Sequence, residues 1–131
     1  MTGNPPYDQR AEQALLGAAL MAPQVIAEQA ATVGPDDFHR PGHGLLWETL
    51  RRLHAAGEPT DPVAVAAHLA EAGALGRLGG AGYLHTLMAA CPSPASAGHY
   101  AGIVADHARR RAVVQLGTRI ASAAANGADT A

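Results

Sequence analysis

Apolar positions recur at helical spacing over most of this chain, most clearly across residues 37–69, DFHRPGHGLLWETLRRLHAAGEPTDPVAVAAHL. Leu46, Leu50 and Leu53 stand three and four apart, and Leu45 and Trp47 widen the stripe. Glu48 and Arg52 fall four apart on the opposite face, in the favourable acid-first order. Gly57 is placed to end this helix, because glycine takes the left-handed position beyond a C-cap without steric cost. Asp61 then caps a second helix and Pro62 occupies its first position, where a missing N–H costs nothing. Val63, Leu69 and the alanines between them give that helix a thinner apolar face. The rest of the chain is expected to pack around this pair.

Residues 1–7 read as a polar, extended lead. Asp8 is placed to cap a helix over AEQALLGAAL, with Ala11, Leu15, Ala18 and Leu16, Leu20 on one side. Gly17 inside it is either a weak spot costing about 1 kcal/mol relative to alanine or a point of close approach by a neighbour. Pro23 opens a short helix to about Ala31, with Val25, Ile26 and Ala30 inward, and Gly34 and Pro35 break it. Asp36 and Asp37 make a turn that returns Phe38 to the core. After Gly73 the glycines at 76, 79, 80 and 82 predict a loop, then a helix carrying Tyr83, Leu84, Leu87 and Met88.

CPSP is a second hard break. Ser93 or Ser96, with Pro94, starts a last helix from about Ala95 to Ala125, about 45 Å at 1.5 Å per residue. Tyr100, Ile103, Val104, His107 and Val114 line one side, and Val113, Leu116 and Ile120 continue the stripe slightly rotated. Asn126 and Gly127 are expected to end it. No period-2 run survives inspection. The predicted fold is all-α: the lead, then a compact multi-helix orthogonal bundle over residues 8–92, then one long C-terminal helix over residues 93–131.

With 131 residues, nearly half of them apolar and 15% charged, the chain has material for one core. Alanine supplies about a quarter of it, so that core has many small contacts and few large anchors. All nine basic residues are arginine and the formal net charge is −2, which excludes a polycation built for nucleic acid. One cysteine, Cys91, excludes an internal disulfide and a cysteine-based zinc site, and its place at an apolar helix end marks a small core residue. No apolar run approaches a membrane span, and no charged start precedes an apolar block. The cytoplasm is the expected compartment.

The chemistry-bearing patterns fail one by one. The glycine-rich stretch GRLGGAG lacks the lysine of a phosphate-binding loop, and the chain has no lysine at all. His39 and His43 are separated by Pro41 and Gly42, so they stand at a helix entrance and not on one helical face for a metal. Asp36 and Asp37 are neighbours in sequence, which suits a turn better than paired acid–base work. No catalytic, cofactor or metal site is predicted. Arg109, Arg110 and Arg111 stand 100° apart on the last helix. They read either as a solvated face, with Arg111 lying along the apolar stripe, or as a surface for an acidic partner or a phosphate backbone.

Taken in order, PPYDQRAEQALLGAAL, DDFHRPGHGLLWETLRRLHAAGEPTD, LGGAGYLHTL and PSPASAGHYAGIVADHARRR resemble the N-terminal domain of DnaB-type replicative DNA helicases. The resemblance spans roughly residues 5–120. Its marks are Ala11-Glu12-Gln13 with Leu16-Gly17, Asp37-Phe38 with His43, the turn from Gly57 to Asp61, Gly79-Gly80 before Tyr83-Leu84, and Tyr100-Ala101 with Ile103-Val104. It implies a helical domain followed by a helical hairpin, here truncated, since the hairpin's second long helix is missing. It implies a non-catalytic domain that self-associates and docks primase or a helicase loader, with ATP and magnesium confined to a separate motor domain. DNA contact would be indirect or weak. The expected partner face is Tyr100, Ile103, Val104, His107, Arg109, Arg110, Arg111 and Val114. The expected structural core is Leu16, Phe38, His43, Leu46, Trp47, Leu50, Tyr83, Leu84 and Leu87. A stand-alone accessory DNA-binding or regulatory protein derived from this domain is the alternative.

Overall fold

The computed structural model describes residues 5–130, with side chains described as far as residue 127. Its helices are α1 (Gln9–Met21), α2 (Gln24–Gln29), α3 (Pro41–Ala55), α4 (Pro62–Glu71), α5 (Leu75–Leu78), α6 (Ala81–Ala89) and α7 (Ala97–Thr130). Short 3-10 turns at Pro35–Asp37 and Pro94–Ser96 precede α3 and α7. Among the described residues there is no strand.

The hub is α1, not the α3–α4 pair. It packs against α6, α7, α3 and α2, and buries Leu15, Leu16, Leu20 and four of its alanines. The cause is visible in the sequence. From Ala14 to Leu20 every position is apolar or glycine, and a helix apolar all round belongs inside a core. Asp8 Oδ1 caps α1 by accepting from the Ala11 N–H at 3.0 Å.

Gly17 marks a close approach. A Cβ built there would lie 2.1 Å from the Leu87 carbonyl oxygen on α6. Backbone cannot yield as a flexible side chain does, so Gly17→Ala must push α1 and α6 apart. The expected loss is about 1–3 kcal/mol, measured by urea denaturation, despite alanine's better helix propensity.

The α3–α4 connection follows its local signals. Gly57, at φ +73°, gives its N–H to the His54 carbonyl, and Glu58 N–H reaches the Leu53 carbonyl at 2.8 Å. That double closure satisfies the last carbonyls of α3. Asp61 Oδ1 accepts from the Ala64 N–H at 3.0 Å and so caps α4. Glu48 and Arg52 pair at 3.0 Å on the exposed face. Leu46, Leu50 and Trp47 are fully buried; Trp47 Nε1 donates to the Val33 carbonyl at 2.9 Å, and the Phe38 ring lies beside it.

Four expectations need correction. Val63 points to solvent at 78% exposure, and Val65 with Leu69 forms the inner face of α4. The glycine-rich stretch is not all loop, because fully buried Leu78 anchors the short α5 within it. The boundary near residue 92 does not divide core from arm, since Ala97, Ala101, Val104 and Ala105 of α7 belong to the core. And α7 continues through Asn126 and Gly127 to Thr130. Each of those two residues costs a helix only about 0.7–1 kcal/mol, and no proline stops it.

Candidate functional site

Two groups of residues could carry function: a buried polar cluster and the free part of α7. The cluster joins three helices. Glu12 on α1 is 2% exposed and His43 on α3 is fully buried. Glu12 Oε1 lies 2.7 Å from His43 Nδ1, and its other oxygen accepts the His39 N–H at 2.7 Å, with the Arg40 N–H at 3.5 Å. His43 Nε2 lies 2.7 Å from the Tyr83 hydroxyl of α6. That hydroxyl also accepts from Arg40 Nη1 at 2.8 Å and Gln13 Nε2 at 3.2 Å. With two N–H donors on the Tyr83 oxygen, its own hydrogen turns to His43 Nε2, which leaves Nδ1–H for Glu12.

The arrangement is structural. The Glu12 carboxylate stands at the N-terminal end of α3, where free amides and the helix dipole favour negative charge. It caps α3 from another helix, since Arg40 at the N-cap makes no side-chain cap of its own. The burial of Glu12 and His43 keeps substrate from reaching them. His39 is turned away from His43 and stacks on Tyr7, ring centroids 4.1 Å apart. Leu16, Phe38, Leu46, Trp47, Leu50, Leu84 and Leu87 are buried in the core, with the Phe38 ring edge-on to His43, and Tyr83 is half-buried. Burial also pushes the Cys91 thiol above its ordinary pKa, partly offset by a backbone hydrogen bond at Ser93.

The expected partner face does not stay together. Val104 is 2% exposed and faces α7's own globule, with Tyr100 and Ile103 packed against the core beside it. His107 is half-buried, its Nδ1 enclosed. Arg111 is spent on the globule as well. Its Nη1 donates to the Pro6 carbonyl at 2.9 Å and its Nη2 to the Asp37 carbonyl at 2.6 Å, tying the lead to the base of α7. Arg111→Ala is therefore expected to lower the backbone NMR order parameters of Tyr7 and Asp8 while leaving those of α1 unchanged.

Arg109 and Arg110 both pair with Asp106, at 3.5 and 3.2 Å, and remain mostly exposed. Beyond Arg111 every described residue is exposed. There Val113, Val114, Leu116 and Ile120 stand open at 68, 56, 49 and 61%. Val104 and Val113 are nine residues apart, which at 100° per residue is about half a turn. The apolar stripe is inner up to Ala105, where α7 lies on the globule, and open from Val113 on, where every described position of α7 is exposed whichever way it faces. Val113, Leu116 and Ile120 therefore join Val114 as the exposed apolar positions of the candidate surface.

Residues 4–106 match the family model of the DnaB-like helicase N-terminal domain. The chain belongs to this family. It is 45% identical over 130 residues to the replicative DNA helicase DnaB of Mycobacterium leprae, covering 97% of this chain and 22% of that protein. It is 43% identical to the DnaB of Leifsonia xyli, covering 88% of this chain and 25% of that one. The chain thus spans about a quarter of the length of these relatives. The crystal structure of the N-terminal domain of DnaB helicase from Mycobacterium tuberculosis superposes with a TM-score of 0.94 at 44% identity, covering 98% of this chain and 91% of that one. A DnaB-like replicative helicase whose structure was described with its interactions with primase gives a TM-score of 0.77 at 29% identity, over 88% of this chain and 27% of that chain. The all-α fold and the DnaB N-terminal-domain character agree with the sequence resemblance. The matched stretch ends at residue 106, within α7.

Proposed function

We propose that this domain is a non-catalytic assembly and docking module of a replicative DNA helicase, acting in the cytoplasm during DNA replication. The globule, locked by the Glu12–His43–Tyr83 cluster, is a rigid base. The outer face of α7 is the working surface, taking a helix from another copy or from a partner such as primase or a loader. Nucleotide, magnesium and strand separation belong to a separate motor domain.

The observation that carries this reading is the exposed strip of Val113, Leu116 and Ile120, within about 60° of one another on α7, with Val114 exposed on the other side. Each such side chain contributes about 1.5–3 kcal/mol when fully buried, enough for the three on one side to drive association. DNA binding is the weaker reading. Arg52 is paired with Glu48, Arg109 and Arg110 share Asp106, and Arg111 is held by backbone carbonyls. Sedimentation across a concentration range, alone and with primase, tests the proposal. Self-association or a primase complex is expected; a monomer that ignores primase at high concentration would refute it.

A further inference from the structure

The first turn of α3 lies directly on α5. A Cβ at Gly42 would stand 3.3 Å from the Arg77 carbonyl oxygen and 3.7 Å from the Leu78 Cα, and Leu78 is fully buried. This contact brings Arg40 and Arg77 to one cavity of about 400 Å³, whose remaining walls are Pro41, Gly42 and Leu45. Small-ligand sites fall in this range of volume.

The two guanidinium groups are held differently. Arg40 stands 4.7 Å over the Tyr83 ring and gives Nη1 to the Tyr83 hydroxyl at 2.8 Å. That double hold sets the plane of the group and leaves Nε and Nη2 without an acceptor among the described residues. Arg77 is exposed and has no ion pair among the described residues.

No acid on either element offsets them. The sequence has no aspartate or glutamate from Phe38 to Trp47, and none from Ala72 to Ala105, although the whole chain carries a net charge of −2. Glu12 comes close only from the inside, where His43 Nδ1 and the His39 and Arg40 amides take its oxygens. The amides at the head of α3 are therefore already served, and the cavity relies on its two arginine side chains.

Two positive charges beside the apolar flanks of Pro41 and Leu45 suit a doubly charged anion with a small apolar body. Guanidinium and phosphate pair through two parallel N–H···O bonds. A phosphate monoester carries about −1.5 to −2 at neutral pH and three free oxygens, which no single carboxylate supplies. We propose that this cavity binds a small phosphate monoester. Arg40 is the pre-set fork for its oxygens, Arg77 is the second cation, and Leu45 and Pro41 meet the ester's apolar part.

The test compares phenyl phosphate with benzenesulfonate, which has the same ring and three oxygens but a single charge. Amide chemical shifts of the whole domain are followed by NMR at low salt. Saturable shifts are expected at Arg40, Gly42, Leu45 and Arg77, with phenyl phosphate binding about ten-fold tighter and the gap closing as salt rises. Arg77→Gln alters an exposed, unpaired side chain, so the fold is expected to stand while the preference for phenyl phosphate falls to about two-fold. Arg119→Gln, on the exposed part of α7, is expected to bind as the parent does. Equal binding of the two anions would overturn the proposal, as would undiminished phenyl phosphate binding in Arg77→Gln. Shifts spread alike over Arg10, Arg51 and Arg119 would show general attraction to arginine and overturn it too.

Discussion

Glu12→Ala is expected to destabilise the domain by about 3–5 kcal/mol, the cost typical of removing one partner from a buried polar pair. The loss has identifiable parts. The His39 and Arg40 amides and His43 Nδ1 would lose their shared acceptor, and His43 is fully buried. An orphaned buried donor costs about 1–3 kcal/mol. A domain of this size holds only about 5–15 kcal/mol in total, so the variant would stand close to unfolding at room temperature. Tyr83→Phe is the graded companion: it keeps the ring and removes the hydroxyl that His43, Arg40 and Gln13 share. Urea denaturation of both should place Glu12→Ala well below Tyr83→Phe. A Glu12→Ala midpoint equal to the parent's would mean that the cluster does not hold α1, α3 and α6 together.

Trp47→Ala is expected to cost a similar amount, about 3–5 kcal/mol. In a core built largely from alanine and leucine, Trp47 is the largest fully buried side chain. It fills the space between Val33, Phe38 and α3, and its indole N–H satisfies the Val33 carbonyl. Alanine would leave a cavity and an unpaired carbonyl together. Trp47→Phe retains much of the volume and loses the hydrogen bond, so its smaller loss separates the two contributions. A Trp47→Ala variant that melts with the parent would show that the α2–α3 junction collapses to fill the gap.

The parts of this fold that could be read from sequence are those fixed by neighbours in sequence. Gly57, Asp61 and Pro62 place the α3–α4 turn because capping is settled within a few residues. Asp8 does the same for α1. Glu12 is different: its partners lie 27 to 31 residues away, at His39, Arg40 and His43, and no local spacing announces them. Its appearance beside a run of apolar positions was the one hint. The long helix failed as a pattern for another reason. Apolar residues continue past the point where α7 projects beyond the globule, and nothing in their spacing marks that point: Leu116 stands within about 20° of buried Ala105 and is exposed. Val63 misled in the same way, being apolar at the start of a helix whose inward face begins at Val65. Arg111 was read either along the apolar stripe or at a partner's surface; the backbone carbonyls that hold it come from Pro6 and Asp37, distant in sequence.

The most direct measurement compares folding and association in the double variant Leu116→Glu, Ile120→Glu. Both side chains are half-exposed or more, so stability is expected to stay within about 0.5 kcal/mol of the parent. Association, whether with another copy or with primase, should weaken about ten-fold or more. A variant that unfolds would mean that the strip is covered by its own domain, and a variant that associates as before would place the working surface elsewhere; either result would contradict the account.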